Sequence, residues 1–410
     1  MRRLVVASAI LATLLTTPLG LAAAAHTSTP APDSGRATAA LEYLLAAQTP
    51  DGSIDKSIGE TADFVIGAAA AGYDPSTLRG CANGTGALDF LATASDAAAT
   101  DAAKTGKTIL AVVAAGQDPT AFSGRNLITR LAALYHSTSG AYGDGSTFGQ
   151  SFAMLAIVAS GRSAPAAAST ELLALQDKDG SWSYGKAPVA AGGGDTNSTA
   201  IALMALDAAG VHSADESALA YLATQQLPDG GFPYQNSTAF GPPASDPDSD
   251  SILLQALLAA GEDPASAAWT KGTSNVTTHL SAGAGADGGF ATPGSKENAF
   301  TTSQVPAALM RVPYGAAVHP RSGASVPTSR CANAAPASSP SSIGSAAPSA
   351  AVALTAAPSV ASSTAPSAPA SSGGSSQEIP APIAFALAAL VILLVSVGVA
   401  WLLSAGSRKR

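Results

Sequence analysis

Gln176-Asp177-Lys178-Asp179-Gly180-Ser181-Trp182 separates two apolar segments. Weaker copies recur at Gln48 to Ile54 and Gln226 to Phe232, and without the glutamine at Asp287-Gly288-Gly289-Phe290. Asp-Gly makes a tight turn, because Asp bonds its own backbone and glycine tolerates positive φ. The apolar residue after each turn can pack back onto neighbouring helices. Gln at the end of the preceding segment can bond the carbonyls that a helix leaves open.

A second marker runs through the same stretch. Small apolar segments end in Ala70-Ala71-Gly72, Ala114-Ala115-Gly116, Ala159-Ser160-Gly161, Ala208-Ala209-Gly210 and Ala259-Ala260-Gly261, at steps of 44, 45, 49 and 51 residues. Periods of this length mean repeated supersecondary units. Glycine after an apolar run is a helix stop, and Asp74-Pro75, Asp118-Pro119 and Asp263-Pro264 follow three of the stops, where proline blocks continuation. Each unit reads as an αα-hairpin: a first helix such as Ala218 to Leu222, the turn, then a more apolar second helix such as Ile252 to Leu258. With Val305 to Met310 as the last inner helix, Thr38 to Tyr314 makes six hairpins, an all-α fold.

Six αα-hairpins with Q-x-x-D-G-S-W at the turn resemble the α/α toroid superfamily of terpenoid cyclases and protein prenyltransferases, over about two thirds of the chain. The resemblance implies an inner ring formed by the second helix of each pair and an outer ring formed by the first, around a central cavity.

The ends of the chain read differently. Met1-Arg2-Arg3, an uncharged run from Leu4 to Leu21 and Ala22 to Ala25 have the layout of a signal peptide, residues 1–25, with 26–37 as an extension before the ring domain, 38–331. From Ala332 to Glu378 the chain is almost entirely Ser, Ala, Pro, Thr and Gly without an aromatic residue, the composition of a disordered stalk. Ile383 to Leu403 is apolar except for Ser396 and Gly398, long enough to cross a bilayer within a transmembrane segment at 379–404. Arg408-Lys409-Arg410 in the tail 405–410 places the C-terminus in the cytoplasm and the ring domain outside, in a cell envelope.

The chain has 20 Lys+Arg and 28 Asp+Glu; setting aside Arg2, Arg3, Arg408, Lys409, Arg410 and Glu378 leaves 15 basic and 27 acidic residues, a net −12. Such a domain repels phosphate backbones, which excludes nucleic acid as a partner. Cys81 and Cys331 are the two cysteines, in the look-alike contexts Arg79-Gly80-Cys81-Ala82-Asn83 and Arg330-Cys331-Ala332-Asn333. In an exported domain they are expected to form one disulfide, the alternative being two free thiols. On the resemblance, the bridge joins the loops after the first and last inner helices and locks the ring.

The resemblance also says which chemistry to look for. Olefin-protonating cyclases use D-x-D-D, which is missing; the nearest string is Asp246-Pro247-Asp248-Ser249-Asp250. Asp and Ser before an apolar helix are also ordinary capping residues. An EF-hand loop fails at Ser251 and Leu257, where glycine and glutamate are required. The Asp/Cys/His zinc site of prenyltransferases has no counterpart, since His136, His212 and His279 are scattered and read as surface residues. No metal or other cofactor is expected. Gly80-Cys81-Ala82-Asn83 lacks the Glu and Gln of a thioester motif. Aromatics are 5% of the chain; Trp182, Tyr184, Phe232, Tyr234 and Phe290 gather at the turns as packing residues, with ligand contact as the alternative.

What remains is a polar collar where the inner helices start. Its candidate ligand-binding residues are Asp63, Lys107, Gln150, Asp195, Asn197, Thr199, Asp248, Asp250 and Thr302. A concave site with convergent polar groups is the default binding hypothesis, and plain helix capping is the alternative. The expected activity is non-catalytic binding of a small polar ligand or an envelope protein partner. Cobalamin carriers share the ring shape, so a cobamide or another scarce solute is one version. If the chain is instead a prenyltransferase-like or cyclase-like enzyme, Asp246, Asp248 and Asp250 are its candidate acids.

Overall fold

The computed structural model describes residues 31–81, 84–185, 193–238 and 242–330. The expected signal peptide, stalk and transmembrane segment lie outside them, as does Cys331. No helix among the described residues is long and apolar enough to cross a membrane.

Among the described residues, twelve α-helices alternate in two sets. The outer set is α1 (Ser34–Ala47), α3 (Ala87–Ala94), α5 (Leu127–Ala133), α7 (Ala166–Ala174), α9 (Asp215–Gln225) and α11 (Val276–Ala282). The inner set is α2 (Ile58–Ala70), α4 (Ala102–Ala114), α6 (Thr147–Ala159), α8 (Thr196–Ala208), α10 (Pro247–Ala259) and α12 (Ala299–Leu309). Each inner helix packs on the next, and α12 packs on α2, so the inner set closes into a ring. Outer helices sit at the seams, α3 on α2, α5 on α4, and α1 on both α12 and α2. Three two-residue antiparallel ladders, such as Phe290–Ala291 with Glu297–Asn298, decorate the turns. The last inner helix begins six residues earlier than its sequence pattern suggests, because Asn298 caps it by accepting from the Thr301 N–H at 2.8 Å.

Neighbouring inner helices run in the same direction, since early residues of one meet early residues of the next. Lys107 of α4 pairs with Asp63 of α2, and a Cβ on Gly106 would lie 2.6 Å from the Phe152 carbonyl of α6. That close approach is why small residues dominate these helices.

Both sequence markers have a geometric cause. Gly72, Gly116, Gly161, Gly210 and Gly261 all take positive φ, between 71° and 81°. At each, a Schellman pair closes the helix, as when Gly72 N–H donates to Ala69 and Tyr73 N–H to Ala68. The sixth inner helix ends in the same pair, Arg311 to Ala308 and Val312 to Ala307, but with Arg311 at φ 61° in the glycine position.

At the turns, the Asp carboxylate accepts the N–H two residues on, as Asp179 does from Ser181 at 3.1 Å. Gln48, Gln176 and Gln226 each donate to the glycine carbonyl four residues later and to a second group, Leu78, Ser217 and Trp269 respectively. Ile54, Trp182, Phe232 and Phe290 are completely buried, each side chain of this class contributing about 1.5–3 kcal/mol. The turn glycines face the backbone of the next outer helix. A Cβ on Gly288 would lie 2.4 Å from the Ala39 carbonyl of α1, so the last turn closes the ring on the first helix.

Candidate functional site

The collar residues divide into two sets. Thr61, Thr199 and Thr302 occupy equivalent places early in α2, α8 and α12. Each hydroxyl accepts the backbone N–H of the buried turn residue: Ile54 at 2.9 Å, Trp182 at 3.0 Å and Phe290 at 2.9 Å. Gln150 does the same for Tyr142 at 2.8 Å, and Asp250 for Phe232 at 2.7 Å. Gln150, Thr199, Asp250 and Thr302 therefore staple turns to inner helices. Their polar atoms satisfy buried backbone donors.

Asp250 is the charged member of that series. Its second oxygen meets Nδ1 of His279, on α11, at 2.6 Å, while the opposite nitrogen, Nε2, lies 3.6 Å from Asp229. Burial pushes the Asp250 carboxyl up to about 6, against the pull of His279. The bond to Asp250 raises His279, against its own desolvation. The reading of His279 as a plain surface residue is thus corrected: it is half-buried and bridges the fifth turn to the sixth outer helix. His136 and His212 are exposed. His212 lies between Asp207 and Asp215, the one trio among the described residues with three potential metal-ligand atoms within 4.8 Å of one another. It also reads as an exposed ion-pair cluster.

Two residues after the staple position, the helices present Asp63, Lys107, Phe152, Ile201, Ile252 and Gln304. Lys107 Nζ lies 2.5 Å from Asp63 and within 5.3 Å of the Phe152 ring centroid. Tyr314, from the segment after α12, donates its hydroxyl to Asp63 at 2.6 Å and meets Phe152 edge-on. Burial raises Asp63 although Lys107 opposes it. The residues two before the staple include Asn197, Asp248 and Phe300. Asp248 accepts from Gln304 at 3.1 Å, and burial followed by the charge of Asp246 raises its carboxyl well above the ordinary range. Burial also raises Glu60, which feels Lys107, Asp63 and Asp55.

The structure therefore separates the Asp246-Asp248-Asp250 string. Asp246 caps α10, accepting from Asp248 N–H at 3.0 Å; Asp248 accepts from Gln304 of α12; Asp250 staples the turn. Of the collar residues, Glu60, Asp63, Lys107 and Asp248 belong to one interior network, together with Gln304 and Tyr314, which sequence reasoning had not assigned to a site. Glu60 was visible as a helix-start acid. Gln304 and Tyr314 carry no local signal, because only ring closure brings them to α10 and α2. Asp195 caps α8 through Ser198 and also accepts from Tyr234; burial raises it to about 6. The turn aromatics divide as well: Trp182, Phe232 and Phe290 are core, whereas Tyr184 and Tyr234 are 62% and 45% exposed.

No protein-family model matches the chain, and no curated protein sequence does. Among solved structures it is similar to the type II terpene cyclase MstE from Scytonema, at 16% identity and a TM-score of 0.47, covering 68% of this chain and 97% of that one. It is also similar to an unsaturated glucuronyl hydrolase from Bacillus sp. GL1, at 14% identity and 0.49, covering 69% and 98%. A third is Candida albicans protein geranylgeranyltransferase-I, at 11% and 0.43, covering 68% and 91%. These proteins differ in activity, and fold does not carry function. With six αα-hairpins closed into concentric rings, the described residues form an α/α toroid.

Proposed function

We propose that this chain is an extracytoplasmic capture protein, anchored by the segment at 379–404 through the stalk at 332–378, that holds a small polar ligand at the mouth of its ring. The observation that carries the reading is the meeting of Asp63, Lys107 and Asp248 with Glu60, Gln304 and Tyr314 inside the inner ring. Structural caps explain most other polar residues of the collar, but not this buried excess of acids. Burying charge without full pairing is costly, so such groups are uncommon without a role. Native mass spectrometry of protein purified from its source, sprayed intact and after denaturation, tests it. A bound mass released on denaturation is expected; a bare protein that turns over an isoprenoid substrate would overturn it.

The second reading is an enzyme, favoured by one observation: burial and the charge of Asp246 push the Asp248 carboxyl well above its ordinary range, the direction a general acid requires, beside Gln304 at 3.1 Å. Asp248→Asn would then abolish turnover, whereas a capture protein has none to lose.

The Cys81–Cys331 bridge belongs to the same proposal. Gly80 packs on Gln48 at the end of α1, while Ser329 bonds Glu42 and Arg330 lies 5.4 Å from the Tyr43 ring, both on α1. The residues before both cysteines thus line one helix. Alkylation of both thiols only after reduction is the expected result; alkylation of the untreated, unfolded chain would refute the bridge.

A further inference from the structure

Beside the outer helix α9, a cavity of about 400 Å³ lies between the helix, the turn at Asp179 and the chain at residues 235–237. A volume of that order is usual for a small-molecule site. Its walls are tied to one another. Buried Gln225 accepts the Asn236 N–H on Oε1 at 2.7 Å and donates from Nε2 to the Thr224 hydroxyl at 2.9 Å. Asn236 donates from Nδ2 to the Thr224 carbonyl at 3.0 Å. Tyr221, from α9, and Gln235, from the facing chain, both donate to the Gly194 carbonyl at 2.8 Å. These bonds hold the walls in place, so a ligand need not bear the entropy of ordering them. Two acceptors on the lining residues remain open among the described residues. Asp179 engages Ser181 through Oδ1 and not Oδ2, and Asn236 engages α9 through its nitrogens and not Oδ1.

The lining selects the chemistry of its occupant. Amides and hydroxyls surround one carboxylate, Asp179, and no lysine or arginine is among them. An anion would meet Asp179 with no counter-charge. A cation would find a single exposed carboxylate, a pairing that water screens. Amides and hydroxyls both donate and accept, and a ligand rich in hydroxyls matches them in both senses. Apolar surface is present too, from Ala220 and the Tyr221 ring. Tyr234, next to Gln235 in the chain, is exposed, and its hydroxyl feels those of Tyr184 and Tyr221, so three tyrosines gather here. A sugar ring carries apolar C–H faces for such rings and hydroxyls at its edge for the amides. We propose that this cavity binds a neutral mono- or disaccharide, with Asp179, Gln235 and Asn236 bonding its hydroxyls and Tyr221 packing on its C–H face. It is a second site, separate from the interior of the ring, and does not rest on the capture reading.

Saturation-transfer NMR and calorimetric titration of the full chain, in a polyoxyethylene detergent that carries no sugar, test it with cellobiose, maltose and N,N′-diacetylchitobiose. At least one of these neutral probes is expected to bind saturably, and the anionic digalacturonate more weakly by about tenfold. Ala220 is exposed on α9 and lines the cavity. Ala220→Trp fills the space without removing a hydrogen bond, and should weaken the bound probe by about tenfold or more. Asp179→Asn keeps an oxygen for Ser181 but makes the acceptor neutral, and should weaken it by about fivefold. Glu216→Gln, exposed on the same helix and outside the lining, should leave binding unchanged. A probe that binds wild type and Ala220→Trp equally sits elsewhere, which overturns the site. Tighter binding of digalacturonate overturns the neutral class. Failure of all three neutral probes to bind at millimolar concentration overturns the proposal, and the mass-spectrometric result decides the capture reading separately.

Discussion

Replacing Thr199 by Val tests the staple that joins each turn to the ring. The Thr199 hydroxyl accepts the Trp182 N–H at 3.0 Å and donates to the Asp195 carbonyl at 2.7 Å, and all three residues are buried. Valine fills nearly the same volume. Asp195 keeps a donor, because the Thr199 N–H also reaches its carbonyl, at 3.1 Å. One group is left orphaned, the Trp182 N–H, in a site closed to water. An unsatisfied buried donor costs about 1–3 kcal/mol, so Thr199→Val should lower the unfolding free energy by that amount. Thr199→Ser keeps the bond and loses one methyl, about 0.8 kcal/mol. Equilibrium urea denaturation of wild type and both variants measures the difference. Thr61→Val and Thr302→Val make the same change at 2.9 Å staples and should give the same range. Were all three valine variants within about 0.5 kcal/mol of wild type, the hydrogen bonds would not hold the turns, and the reasoning would fail.

Arg311 occupies the position that glycine fills on the other five inner helices, at φ 61°, so Arg311→Gly should stabilise by about 1 kcal/mol, read as a higher melting temperature. Gly288→Ala places a Cβ 2.4 Å from the Ala39 carbonyl at φ 84°, whereas Gly116→Ala at φ 71° meets nothing within 4 Å. The first should cost more than about 2 kcal/mol and the second about 1, and equal losses would contradict the close approach at the ring seam. Asp195 and Asp250 are raised to about 6 and His279 above its usual value. Raised groups bind protons on folding, so their contribution is present at low pH and lost as pH rises through the folded values. Melting temperature should therefore fall between pH 5 and pH 8; a rise across that window would show that these groups do not control it. Below about pH 4 the lowered carboxylates Asp33, Asp51, Asp74 and Asp118 should reverse the trend.

Much of the ring was legible because its signals are local. A helix must end where an αL residue closes it, so the glycines at 72, 116, 161, 210 and 261 mark five inner helices. The sixth lacked the mark, since Arg311 takes that conformation itself. The third turn was hidden for a similar reason: Gly140 faces the Ala167 carbonyl as the other turn glycines face theirs, but Ser139 stands where they have Asp.

The site was legible only in outline. Helix-start polarity picked out Asp63, Lys107 and Asp248, but could not separate them from Gln150, Thr199, Asp250 and Thr302. A two-residue step along a helix rotates a side chain by about 200°, which turns it from a turn's N–H toward the neighbouring inner helices, as Lys107 turns to Asp63. His279 and Tyr314 were invisible as site residues for a different reason. His279 reaches Asp250 across 29 residues and Tyr314 reaches Asp63 across 251. The sequence by itself determined the hairpins, their number and four of their turns, because capping and turn chemistry act over a few residues. Only the tertiary structure decided which polar side chains are staples and which face one another inside the ring, because that depends on helix phase and on closing α12 against α2.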